Sequence, residues 1–155
     1  MQDSVHAWRI FLRHAHRDLF DRSQDNGLSE KGHYQGRKIQ EWMKEHSPAP
    51  EHVFSSPKLR CLETAQYVAE LYGLEVVVLP ELDEQHPHET DAAFRKRIAE
   101  FLKSDKCPPR AVFCTHGDVL PELARLLGLP GVDISKGDLF IERDGRVVGT
   151  NPVRA

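Results

Sequence analysis

Cysteine is scarce in this 155-residue chain: Cys61, Cys107 and Cys114 make an odd number with no framework spacing. That excludes a disulfide-stapled scaffold and points to a reducing compartment. Positive charge is not in excess either. The formal net charge is −3 and there is no Lys/Arg tail, which argues against a nucleic-acid or membrane-surface binder. No apolar run is long enough to span a bilayer, and no signal-peptide-like apolar region opens the chain, so a cytoplasmic protein is expected. A Gly-x-x-x-x-Gly-Lys-Ser/Thr phosphate loop is missing. So is the arginine six positions after a nucleophilic cysteine: that count from Cys61 reaches Tyr67, and from Cys114 reaches Leu120. No repeat, low-complexity tract or linker divides the chain. With 39% hydrophobic and 29% charged residues, it reads as one soluble domain over 1–155, large enough to bury a core.

What is present alternates between strand and helix patterns. "AWRIFLRH" reads as a buried strand, and "LSEKGHYQGRKIQEWMKEH" as a helix with Ser29 as N-cap and an apolar face of Ile39, Trp42 and Met43. "HVFSSP" is a second strand, followed by the helix "KLRCLETAQYVAELYG" closed by Gly73. "EVVVLPEL" reads as a third strand, "DAAFRKRIAEFLKS" as an amphipathic helix, "RAVFCTH" as a fourth strand and "VLPELARLLG" as a helix. "DLFIERDGRVVG" is a hairpin turning on Asp144-Gly145. The expected fold is α/β: a three-layer sandwich with a mostly parallel central sheet and a C-terminal hairpin.

In open α/β sheets, ligands sit beyond the carboxyl ends of the strands. Three such ends carry polar residues: Arg13-His14, Ser55-Ser56 with Arg60, and Thr115-His116-Gly117-Asp118. The third adds Glu81, Asp83 and Glu84. One chemistry for this set is a metal site opening on His14, His16 and Asp18. The histidine that would complete that pattern is Leu19, and His86 and His88 flank Pro87 in a loop, so no metal is expected. The other chemistry is phosphate: a neutral imidazole attacks phosphorus while forked arginine donors balance the equatorial oxygens.

"LRHA", "LSEKGHYQG", "SSPKLRCLETA", "LDEQH" and "THGD", in that order along nearly the whole chain, resemble the histidine phosphatase superfamily, also called phosphoglycerate mutase-like. The resemblance implies a phosphoglycerate mutase-like fold and a phosphatase without cofactor. By position, His14 is the implied nucleophile, with Arg13, Arg60 and His116 on the phosphoryl oxygens. Glu84 is the implied proton donor and Asp118 the alternative acid. Two departures stand out. Ala15 replaces the family's glycine, and a positive φ there would cost alanine about 1 kcal/mol. Gly117 interrupts the His-Asp pair that one branch of the family uses.

His16, Arg17 and Arg22 are surplus to this scheme. They are either exposed cations paired with Asp18 and Asp21, or holders of a second anionic group on the substrate. The chain is short beside the mutases, which favours an open-site hydrolase acting on a small phosphorylated metabolite or a phosphorylated protein. The alternatives are a non-catalytic phospholigand-binding domain, a mutase-type phosphotransferase and a metal-dependent hydrolase using His14 and His16. Oligomeric state is not legible.

Overall fold

The computed structural model describes residues 7–129, 131 and 133–154; residues 1–6, on which part of the reading about a leader rests, lie outside them. The elements run β1 (Trp8–Arg13), α1 (Glu30–His46), β2 (His52–Ser55), α2 (Leu59–Tyr72) and β3 (Val76–Val78). They continue with α3 (Asp91–Lys103), β4 (Ala111–Thr115), α4 (Val119–Leu126), β5 (Leu139–Arg143) and β6 (Arg146–Thr150). No helix among the described residues is long and apolar enough to cross a membrane.

The strands form one sheet in the order β3-β2-β4-β1-β5-β6, parallel from β3 to β1 and antiparallel at β5 and β6. Its inner strands are apolar on both sides because both faces are covered. The period of two sends Ile10, Leu12, Val112 and Cys114 to the side where α1 and α2 pack with Ile39, Met43, Cys61 and Val68. It sends Phe11, Phe113 and Ala111 to the opposite side, against Phe94, Ile98 and Phe101 of α3 and Leu120 and Leu123 of α4. The result is the expected three-layer sandwich. Across the second face runs a ladder of registered phenylalanines, Phe54, Phe113, Phe11 and Phe140, with successive ring centroids 5.2, 5.1 and 5.1 Å apart. It joins four neighbouring strands by stacked cross-strand pairs.

Local signals act as read. The Ser29 hydroxyl accepts the Gly32 N–H to cap α1, Gly73 closes α2 at φ 65°, and Asp144 and Gly145 take positive φ in the hairpin. The third strand is shorter than its apolar run suggests. It stops at Val78, because Pro80 has no N–H for the ladder and opens a 3-10 turn over Pro80–Leu82.

Candidate active site

Three adjacent strand ends carry the site. The His14 N–H donates to the Thr115 carbonyl at 3.1 Å, and the Ser56 N–H to that of Cys114 at 3.0 Å. Residues 14, 56 and 116 therefore leave β1, β2 and β4 side by side. The rings of His14 and His116 lie 5.5 Å apart at 64°. Around them Arg13, Arg17, Arg60, Glu84 and Lys136 line an open cleft of about 430 Å³. Of the pair behind the metal alternative, His14 Nδ1 bonds to the Ala15 carbonyl and His16 Nδ1 to the Ser29 hydroxyl, and no group of three metal-ligating side chains occurs among the described residues.

His14 is 4% exposed, and its Nδ1 lies 2.8 Å from the Ala15 carbonyl oxygen. A carbonyl only accepts, so Nδ1 carries the proton and the Nε2 lone pair is left free. Burial, with Arg60 and Arg13 adding like charge, pushes the His14 pKa down to about 3, so the ring is neutral. His116 is likewise driven to about 2, by burial first and then by His14 and Arg60. Its Nε2 lies 2.8 Å from Ser56 Oγ, a hydroxyl able to give or take the hydrogen bond, and its Nδ1 lies 3.4 Å from Arg60 Nη2.

Arg60, 4% exposed, donates through Nη2 to Glu84 Oε1 at 2.7 Å, while its Nε is buried without a partner. The nearby Glu63 is occupied elsewhere, accepting the Leu28 N–H at 2.6 Å. Arg13 donates to the Ile134 carbonyl at 2.7 Å, and its Nε is also buried and unpartnered. Gly117 permits this placement, since a Cβ there would stand 2.6 Å from Arg13 Cζ. Glu84 is held by its backbone. Arg97 of α3 donates to the carbonyls of Glu81, Asp83 and Glu84 at 2.9, 2.8 and 3.2 Å, and Thr115 Oγ1 donates to that of Leu82 at 2.6 Å.

The motif residues that do not face the cleft hold the loop after His14. Gln35 Oε1 accepts the His16 N–H at 2.8 Å, and the His16 carbonyl accepts the Ser29 N–H at 3.1 Å. Gly32 lets α1 approach so closely that a Cβ would fall 1.9 Å from the same carbonyl oxygen. Thr64 Oγ1 takes the Ala15 N–H at 3.0 Å and donates to the Arg60 carbonyl at 2.7 Å, tying the loop to α2. Among the described residues the non-glycine positive-φ positions are Arg110 and Asp144, so Ala15 is not in the left-handed region and carries no such strain.

Asp118 lies at the cleft, but its carboxylate accepts the Gln85 N–H at 2.9 Å instead of capping α4. Burial raises its pKa, with Glu84 adding to the effect. Of the surplus cations, Arg17 joins the cleft and donates to the Gln24 carbonyl, His16 faces a neighbouring cavity, and Arg22 is exposed on the loop between. Asp18 and Asp21 bond to the Phe20 and Ser23 N–H groups rather than to these arginines. Sequence reasoning did not find Lys136 or Arg97, and it assigned Ser56 no bond to His116.

A family model described as the histidine phosphatase superfamily (branch 1) matches residues 10–91, more than half of the chain. No match is found among curated protein sequences. Similar solved structures include the protein histidine phosphatase SixA complexed with tungstate, at TM-score 0.72 and 19% identity, covering 95% of this chain and 98% of that one. A mycobacterial glucosyl-3-phosphoglycerate phosphatase complexed with VO3 gives TM-score 0.67 and 20% identity over 93% of this chain and 96% of that one. TTHB049 from Thermus thermophilus gives TM-score 0.65 and 26% identity over 91% and 96%. These likenesses place the fold among phosphoglycerate mutase-like sandwiches.

Proposed function

Because the chain belongs to the histidine phosphatase superfamily (branch 1), we propose that it is a metal-independent phosphatase hydrolysing a phosphomonoester through a phosphohistidine on His14. The carrying observation is the Nδ1–H bond from His14 to the Ala15 carbonyl, which leaves a neutral ring with Nε2 free to attack. Nε2 bonds to phosphorus as the ester P–O bond breaks, and Glu84 gives its proton to the leaving oxygen. Arg13, Arg60 and His116 hold the equatorial oxygens. His116 Nδ1, which accepts from Arg60 Nη2 at 3.4 Å, becomes a donor once Arg60 turns to the phosphoryl group and the Ser56 hydroxyl donates to Nε2 in its place. An incoming phosphoryl dianion supplants Glu84 on Arg60 and leaves that carboxyl free to carry the proton. Glu84 then takes a proton from water, whose oxygen attacks phospho-His14. The P–N bond breaks, phosphate leaves, and His14 is neutral again. Here arginines supply the charge balance that a metal supplies in other phosphoryl transfers.

The substrate is a small phosphorylated metabolite or a phosphorylated protein, reached in the cytoplasm. The three free cysteines fit a reducing compartment. The test is hydrolysis of phenyl phosphate in EDTA by the native protein and by His14→Ala. Activity should survive EDTA and vanish in the variant. Loss to EDTA with rescue by a divalent metal, or full activity in His14→Ala, would overturn the reading.

A further inference from the structure

Beside the cleft lies a larger cavity of about 570 Å³. Arg13 and Lys136 line both, so the two spaces share a cationic wall. The loop after β1 and the start of α1 contribute His16, Lys31, Tyr34 and Gln35, and no carboxylate lines the cavity. The strongest charged influences on Lys136 are themselves cations: Arg13, Arg22, Arg17 and Lys31. Burial and those neighbours push its ammonium pKa down, and burial followed by Lys136 and Lys31 does the same to His16. Neither lysine takes part in an ion pair among the described residues.

Asp138, Asp118 and Asp133 offset part of the charge of Arg13, whereas the cations around Lys136 repel one another, and a bound anion removes that repulsion. A single phosphoryl group on His14 would engage Arg13 and Arg60 and leave Lys31 and much of Lys136 facing an empty cavity. We propose that this cavity is a second anion subsite, with Lys31 and Lys136 holding a phosphate or carboxylate on the same molecule whose phosphomonoester reaches His14. The substrate class is thus a small molecule with two anionic groups. The inference rests on the phosphatase reading. Of His16, Arg17 and Arg22, the residues the sequence offered for a second anion, His16 lines this cavity and Arg17 the cleft, while Lys31 of α1 and Lys136 on the approach to β5 are the holders proposed here.

The test compares bisphosphates of propane-, butane-, pentane- and hexanediol with the matching monophosphates, using kcat/KM. For at least one chain length the native protein should favour the bisphosphate tenfold or more. Lys31→Glu should bring the ratio close to one. Lys31 is exposed in the first turn of α1, where an acidic side chain suits the helix dipole, so the variant should fold. A ratio near one at every length in the native protein, or an unchanged ratio in Lys31→Glu, would overturn the proposal. So would Lys31-dependent activation of phenyl phosphate hydrolysis by inorganic phosphate, which would make the cavity a site for a separate anion. Calorimetric binding of the same pairs to His14→Ala separates the two readings. Tighter, Lys31-dependent bisphosphate binding to that variant, with no turnover of any ester by the native protein, would sink the phosphatase and leave the subsite standing.

Discussion

Arg60 Nη2 and Glu84 Oε1 are 2.7 Å apart, so the guanidinium at the start of α2 already holds a carboxylate where a phosphoryl oxygen is proposed to bind. Asp118 is not held this way; its carboxylate takes the Gln85 N–H. Glu84→Gln should therefore lower kcat by about 10²–10⁴-fold on an alkyl phosphate, whose leaving oxygen needs a proton. On phenyl phosphate it should leave the burst of phenol that accompanies phosphorylation of His14 near native and slow only the following turnover, in which Glu84 activates water. Asp118→Asn should leave both rates close to native. The reverse pattern would transfer the acid role to Asp118.

Gly117 matters for what it lacks. A methyl group there would press on the Arg13 guanidinium, 2.6 Å from Cζ, and turn it out of the cleft. Displacing a phosphoryl-binding group by about 1 Å is expected to cost on the order of 10²-fold in kcat/KM. Gly117→Ala should show that loss with an unfolding midpoint near native, because residue 117 lies in the turn before α4. A native rate would show that Arg13 has room to move.

Acid should weaken the fold through the two central histidines. Burial holds His14 at about 3 and His116 at about 2, whereas both titrate near 6.5 once unfolded. Below pH 6.5 the unfolded chain binds protons that the native state refuses, so stability falls with pH until the native rings also titrate. Urea midpoints should decline from pH 7 to pH 4.5, more shallowly in a His14→Asn, His116→Asn double variant. Parallel slopes would overturn this prediction.

Much of this was written locally. Alternating periods gave the layers, and Ser29, Gly73 and Asp144-Gly145 marked their own boundaries because caps and turns depend on neighbours in sequence. His14, Arg60 and His116 were legible because strand ends and a helix start announce themselves. Lys136 was not. It reaches the cleft only because β5 pairs with β1, which brings the Gly137 N–H to the Arg13 carbonyl at 3.2 Å, and nothing in Ser135-Lys136-Gly137 names that partner. The clamp of Arg97 on three carbonyls was hidden for a similar reason: it looked like any cation on an amphipathic helix. The short β3 reflects the veto of Pro80 on a run whose composition favoured a longer strand.

The sheet order also bears on how the protein is made. β1 and β2 never touch, because β4 fills the space between them. During synthesis the first half of the chain emerges with a gap in its central layer, and Phe11 and Phe54 each wait for Phe113. The strand that closes the gap is the one that delivers His116. A nascent chain therefore gains its chemistry and its middle in one late, long-range step. Until then its open strand edges need shelter from other chains.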